Sequence, residues 1–157
     1  MSMTINAAKL EPLEDGRTLV EPVFDFSAAH PEILAPDADD RAARGEDPFI
    51  PNPDHIPGTF MTLANGNARD FFEALGFTID DEGFGVFDID AVQEAVFRAR
   101  NADGAPAGRP ERIETGAGGA TMIMCGLPEA RIRDYLEGLA EMIRLGRTRG
   151  ATHIAVA

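Results

Sequence analysis

The residues best suited to chemistry lie around the only cysteine of the chain, Cys125. A β-prone stretch, residues 121–125, leads into this cysteine, and Arg131 follows it six positions later in a segment with helical periodicity. A thiol at the start of a helix can ionise, because free backbone N–H groups and the helix dipole stabilise a thiolate. An arginine nearby could hold an oxyanion.

Residues 125–131, with the sequence CGLPEAR, resemble the Cys-x5-Arg phosphate loop of cysteine-dependent phosphatases. The resemblance implies that Cys125 acts as the nucleophile and that Arg131 binds phosphate together with the loop amides. It covers one short loop and implies nothing about the rest of the chain.

Three residues depart from that phosphatase pattern. Pro128 removes one amide from the phosphate cradle, and Glu129 brings a negative charge to the place where phosphate would bind. Ile132 replaces the hydroxyl residue that usually follows the arginine. The competing interpretation is a buried structural thiol, a common role for free cysteine. A small cysteine-dependent phosphatase-like enzyme is therefore the alternative hypothesis, and a non-catalytic protein is the main one.

Other polar clusters do not have the spacing of known ligand sites. The three histidines, His30, His55 and His153, are never within helical ligand spacing of one another. The acidic clusters at 37–40 and 80–82 lack the alternating ligands of a calcium loop. The glycines at 116–119 precede a strand candidate, whereas a phosphate-binding glycine loop follows one. The sequence predicts no metal and no cofactor.

The charge of the chain restricts its partners. It carries 27 acidic residues against 14 basic ones, a net charge of −13. Such a chain is repelled by a phosphate backbone and by anionic lipid, so we expect neither nucleic acid nor membrane as a partner. The same charge suits a basic protein surface, so an acidic inhibitor that binds a basic site is a further alternative. Whether a small molecule binds stays open.

The chain has neither a secretory signal nor an apolar stretch of the ~18 residues that a membrane helix needs. A single cysteine also excludes an intramolecular disulfide. We expect a cytoplasmic protein, or one that lies within a protein assembly or a virion.

Residues 1–57 differ in composition from residues 58–157. Eight of the eleven prolines precede residue 58, and this part of the chain carries 12 acids against 4 bases. Proline removes backbone donors and favours an extended conformation in the residue before it. The sequence therefore predicts an extended proline-rich N-terminal arm over 1–57, followed by one compact domain over 58–157.

The arm carries more large apolar residues than a solvated linker would. We predict that it contacts a protein partner, a second copy or its own domain, and that it is an interaction element. The residues predicted to bind a partner are Val23, Phe24, Phe26, Phe49 and Ile50.

From residue 58 onward, helix and strand patterns alternate. Three apolar stripes at helical spacing predict helices: one through Phe71 and Leu75, one through Val92 and Val96, and one over 132–143. β-prone segments at 59–63, 84–87, 121–125 and 152–156 predict strands. The segment 101–120 is expected either to be mobile or to contain a further short strand at 112–115. The fold class is α+β, or a small α/β layer, with about four strands and three helices.

The segment from Asn65 to Gly76 is similar to openings in small uncharacterised bacterial and phage proteins. That resemblance carries no activity. The sequence therefore favours a non-catalytic interaction or assembly protein, such as a phage or multi-subunit accessory component, whose N-terminal arm docks on a neighbouring subunit.

Overall fold

The computed structural model describes residues 2–101, 110, 112–115, 121–124 and 126–157. Over these residues the chain has an α+β fold with nine strands, four α-helices and one 3-10 helix. The strands are β1 (Ser2–Pro12), β2 (Thr18–Pro22), β3 (Glu32–Leu34), β4 (Phe49–Pro51), β5 (Phe60–Ala64), β6 (Gly85–Asp88), β7 (Arg112–Thr115), β8 (Thr121–Met124) and β9 (His153–Val156). The α-helices are α1 (Ala38–Ala43), α2 (Asn65–Ala74), α3 (Ile89–Asn101) and α4 (Glu129–Thr148), and the 3-10 helix η1 is Phe26–Ala29.

The long strand β1 is the centre of the main antiparallel sheet. On one side its first half pairs with β5 and its second half pairs with β2. On the other side β1 pairs with β9, which in turn pairs with β6. Two further pairs, β3 with β4 and β7 with β8, form separate two-stranded sheets.

The position of β1 differs from the sequence-based boundary at residue 57. Residues 2–12 form the central strand of the main sheet and are not a separate arm. The sequence contained the signal: Met3, Ile5 and Ala7 alternate with polar residues and are all buried. The Asp15-Gly16 pair then makes the turn into β2, with Gly16 at φ +81°. The two early prolines stand at strand ends, so they do not interrupt the sheet.

The hydrophobic core lies between the main sheet and the helices α2, α3 and α4. Each of these helices has one apolar stripe, as the sequence predicts, and buries it. The largest fully buried side chains of the core are Phe71, Phe72, Ile5, Leu127, Ile132, Leu136, Leu139, Met142, Ile154, Val92 and Val156. All three helices and all five strands predicted after residue 58 are present, with β7 and β8 paired as a hairpin.

Helix α2 ends and helix α3 begins at residues typical of helix termini. Gly76, at φ +89°, ends α2, and Phe77 N–H donates to the Phe72 carbonyl across that turn. The Asp88 carboxylate caps α3 by accepting from the N–H groups of Asp90 and Ala91 at 3.0 Å. At the start of α2 no asparagine caps, because the helix already begins at Asn65.

Helix α4 lies very close to β1 at one glycine. A Cβ atom on Gly146 would come within 2.5 Å of the Ala7 Cβ and 3.2 Å of the Ala151 Cβ. Glycine at this position therefore allows the helix and the sheet to approach each other. At Gly138, earlier on the same helix, the three atoms nearest to an added Cβ all belong to the Met61 side chain, with its sulfur at 3.3 Å.

Candidate protein-interaction site

Residues 25–54 fold into a small unit beside the main sheet, which we call the β3–β4 lobe. It consists of η1, β3, α1 and β4, and its two strands pair antiparallel with Leu34 opposite Phe49 and Ile33 opposite Ile50. Because successive side chains of a strand point to opposite faces, Leu34 and Phe49 share one face of the lobe and the two isoleucines share the other.

The two faces of the β3–β4 lobe differ in exposure. Ile33 and Ile50 are partly buried, whereas Leu34 is 62% and Phe49 49% exposed. Two large apolar side chains that face each other across a strand pair and remain in water form an apolar patch. Nothing in the described part of the chain covers them, so this patch is the candidate site for a partner.

Asn52 joins η1 to the end of β4. Its side chain is buried, at 8% exposure, and its Nδ2 donates to the carbonyls of Ser27 and His30 at 2.8 Å each. Its backbone N–H donates to the Pro31 carbonyl at 2.8 Å. The short strands β3 and β4 could not persist alone, and these bonds tie them to a second element.

The lobe carries an excess of negative charge. Residues 25–54 include eight acidic and two basic side chains, a net charge of −6. Both bases are used within the lobe: Arg44 pairs with Glu46 at 2.9 Å and with Asp37 at 3.6 Å, and Arg41 donates to the Asp47 carbonyl at 2.7 Å. The hydrogen bond from Arg44 holds the pKa of Glu46 below its usual range. The apolar patch therefore belongs to a lobe with a net negative charge.

The structure divides the five residues predicted to bind a partner into two groups. Val23 packs partly buried against the core. Phe24 is buried, with the Arg149 guanidinium 5.6 Å from its ring centroid. These two side chains contact their own domain. Phe49 and Ile50 lie in β4, and Phe49 is the exposed member of that pair.

Phe26 stands between the β3–β4 lobe and the main sheet. Its ring is 58% exposed and makes edge contacts with Phe60 at 5.4 Å and with His30 at 5.1 Å. One edge of the ring therefore fixes the lobe to β5, and the rest remains in solvent.

The predicted phosphate loop can be described only in part. Cys125 lies outside the described residues. Arg131 is an exposed residue in the first turn of α4, and Glu129 in the same turn pairs with Arg133 at 2.7 Å. Pro128 is the N-cap residue of α4 and, as the sequence implied, offers no amide to an anion. The phosphatase hypothesis stays a prediction.

Within the described ranges, no group of three or more histidine, cysteine, aspartate or glutamate side chains is placed to hold a metal ion. None of the described helices is both long enough and apolar enough to cross a membrane.

Leu34 and Phe97 are two of the exposed apolar residues that were not among the sequence-predicted site residues. Leu34 is recognisable only from its strand register opposite Phe49, and no local pattern predicts the pairing of two three-residue strands. Phe97 is 68% exposed on α3. It lies off the stripe of Val92 and Val96, and a phenylalanine off the buried face of a helix is a signal that could have been used.

Comparison with protein-family models, with curated proteins and with solved structures finds no match to this chain. The functional argument therefore rests on the geometry of the chain itself.

Proposed function

We propose that this chain is a non-catalytic assembly protein that docks on a neighbouring protein subunit through the β3–β4 lobe. The observation that carries the proposal is the cross-strand pair Leu34 and Phe49, which remains in water on a folded lobe. Exposed apolar pairs of this kind are typical of surfaces that bind other proteins.

The construction of the lobe favours binding. Asn52 and the η1 hydrogen bonds hold the strands in place before a partner arrives. A surface that is already ordered loses little conformational entropy when it binds, so more of the contact energy appears as affinity. An aromatic anchor beside an aliphatic one is also the kind of contact that dominates interface energetics.

The charge of the lobe defines the chemistry of its partner. An apolar patch on a lobe of net charge −6 complements an apolar pocket with a basic rim. It opposes a second acidic patch, because like charges across an interface cost free energy. The expected partner surface is therefore a hydrophobic pocket bordered by arginine or lysine.

The proposal can be tested on the native complex in cells of the source organism. We expect the chain to sediment in a complex heavier than its 16.8 kDa monomer. The double variant Leu34→Thr/Phe49→Thr should sediment as the monomer, because threonine suits a strand but removes the apolar anchor.

Phe84→Thr is the matched control, since Phe84 is an equally exposed aromatic residue (54%) outside the lobe. This variant should sediment like the wild type. Sedimentation of the wild type as a monomer, or the same complex in the wild type and the double variant, would rule out docking through the lobe.

A further inference from the structure

A groove between α3 and α4 has the properties that the partner of the lobe requires. Its volume is about 310 Å³, at the lower end of the ~300–1,000 Å³ range of protein pockets that enclose small ligands. That size suits one or two side chains. The residues that line it are Gln93, Val96, Phe97, Arg100, Ala140, Ile143, Arg144 and Arg147. We call it the α3–α4 groove.

The apolar part of the α3–α4 groove is open to a partner. Val96 and Ile143 belong to the core and form its floor, while Phe97 is 68% exposed, the largest exposure among the bulky apolar side chains described. A second, wider cleft shares Gln93, Phe97 and Arg147 with this groove and is also lined by Asp90 and Glu94. A phenylalanine between two depressions can cover an incoming apolar side chain.

The charged part of the groove is basic. Among the described residues that line it, every charged one is an arginine: Arg100, Arg144 and Arg147.

These arginines are paired on the surface, but the pairs are exchangeable. Arg100 contacts Glu137 at 2.9 Å and Arg144 contacts Glu141 at 2.6 Å. Arg147 pairs with Asp90, and all six side chains are well exposed to solvent. Exposed ion pairs contribute little to stability, so a carboxylate from another chain can replace the local one at small cost. The guanidinium groups are already oriented to bind a carboxylate.

We infer that the partner of the β3–β4 lobe is a second copy of this chain, whose α3–α4 groove receives the Leu34–Phe49 pair. This inference rests on the proposed function, and it names the partner that the proposed function does not identify. The carboxylates of the lobe would then face the arginines that line the groove, and Phe49 would lie against Phe97.

This contact joins unlike surfaces, so the assembly is head to tail. Leu34, Phe49 and Phe97 are all exposed in one chain, so the two surfaces do not cover each other within it. Each copy offers one lobe and one groove, which gives a closed ring or an open filament. A symmetric lobe-to-lobe dimer is disfavoured, since it would bring together two surfaces of net charge −6.

Analytical ultracentrifugation of two complementary variants tests the inference. The lobe variant is Leu34→Thr/Phe49→Thr, and the groove variant is Phe97→Gln, which keeps helix propensity; neither changes the net charge. The wild type should form concentration-dependent oligomers. Each variant alone should be monomeric, with self-association weakened by at least about tenfold, as the loss of an anchor residue predicts.

The decisive sample is an equimolar mixture of the two variants. One intact lobe and one intact groove remain, so the mixture should form a 1:1 dimer that cannot grow. Raising the salt from about 0.05 to about 0.5 M should weaken this dimer severalfold, because screening reduces the attraction between carboxylates and arginines. Circular dichroism checks that both variants keep the wild-type fold.

A wild type that is monomeric at about 0.1 mM, or a mixture that stays monomeric, overturns the inference, since a tighter contact than that is needed for stable assembly. Self-association that survives in either variant alone also overturns it. Failure of self-association can be told apart from failure of the proposed function. If the native complex in cells still depends on Leu34 and Phe49, the lobe docks on a different protein.

Discussion

Among single residues, Asn52 has the largest structural role in the proposed site. Its amide is one of very few buried polar side chains in the described part of the chain, and it satisfies two carbonyls of the η1 region. Removing a buried donor leaves its acceptors without a partner, which costs more than the net strength of the bond.

Asn52→Ala should therefore lower the free energy of unfolding of the β3–β4 lobe by about 2 kcal/mol. Native-state hydrogen exchange over residues 26–57 measures this change. Asn101→Ala is the matched control, because Asn101 also donates to a backbone carbonyl, but at an exposed helix end. Equal protection of the lobe in Asn52→Ala and the wild type would contradict the structural role.

The thiol of Cys125 gives a prediction that separates the two functional classes. If the chain is non-catalytic, hydrolysis of p-nitrophenyl phosphate by the purified protein should be at background and should not change in Cys125→Ser. Arg131→Gln serves as a parallel control for the second residue of the resemblance. Turnover that disappears in Cys125→Ser would make the phosphatase interpretation the primary one, because that interpretation names the Cys125 thiolate as its nucleophile.

At the level of secondary-structure elements, α4 sets the spacing between the helix layer and the sheet. Its two interior glycines are each flanked by one leucine and one charged residue, but they meet different surroundings. Gly146 faces Ala7 of the central strand, and Gly138 faces the flexible end of Met61.

Gly146→Ala should destabilise the chain by about 1–2 kcal/mol, because overpacking against β1 outweighs the gain in helix propensity. Gly138→Ala should stabilise it by up to about 1 kcal/mol, because Met61 can move aside. Urea unfolding followed by circular dichroism compares the two variants. A more stable Gly146→Ala protein would show that α4 can move away from β1.

The β3–β4 lobe should also loosen in acid. Hydrogen bonds from Arg44 and from the Ser27 N–H hold the pKa values of Glu46 and Asp25 below their ordinary values of 4.5 and 3.8. A carboxyl group with a lowered folded pKa contributes stability above its unfolded pKa and loses it as the pH falls through the folded pKa. Lobe amide protection should be constant at neutral pH and fall below pH 4.5. Protection that rises on acidification would contradict these ion pairs.

Sequence reasoning succeeded where the hydrophobic pattern is local and long. The stripes through Phe71, Val92 and the residues 132–143 predicted three helices, and the strands between them followed from β-prone runs. It failed where structure depends on distant pairing. The proline count concealed β1, and the register that places Leu34 opposite Phe49 comes from two three-residue strands separated by α1.

The sequence predicted the candidate site only in part, because composition is local information and packing is not. Phe26 and Phe49 were selected because large apolar residues stood in a proline-rich segment, and both are exposed. Val23 and Phe24 were selected on the same ground, but Val23 packs partly buried against the core, and Phe24 is buried beside Arg149. Composition identifies a segment whose apolar side chains need contacts. Only the packing decides which of them are buried against the chain's own core and which remain exposed.

For the whole molecule, the important property is the separation of its charges. The chain has a net charge of −13, of which −6 lies in the β3–β4 lobe, while three arginines border one groove between α3 and α4. A molecule with an acidic apolar projection and a basic apolar recess can associate in one orientation. This arrangement is why we favour assembly over catalysis.

The most direct measurement is photocrosslinking from the lobe in living cells. Benzoylphenylalanine at position 49 should give a discrete protein adduct, because the apolar patch lies against a partner, and the same probe at position 84 should give none. An adduct within the α3–α4 groove of a second copy would support both proposals, and an adduct to a different protein would support docking alone. No adduct from position 49, or equal adducts from both positions, would contradict the account.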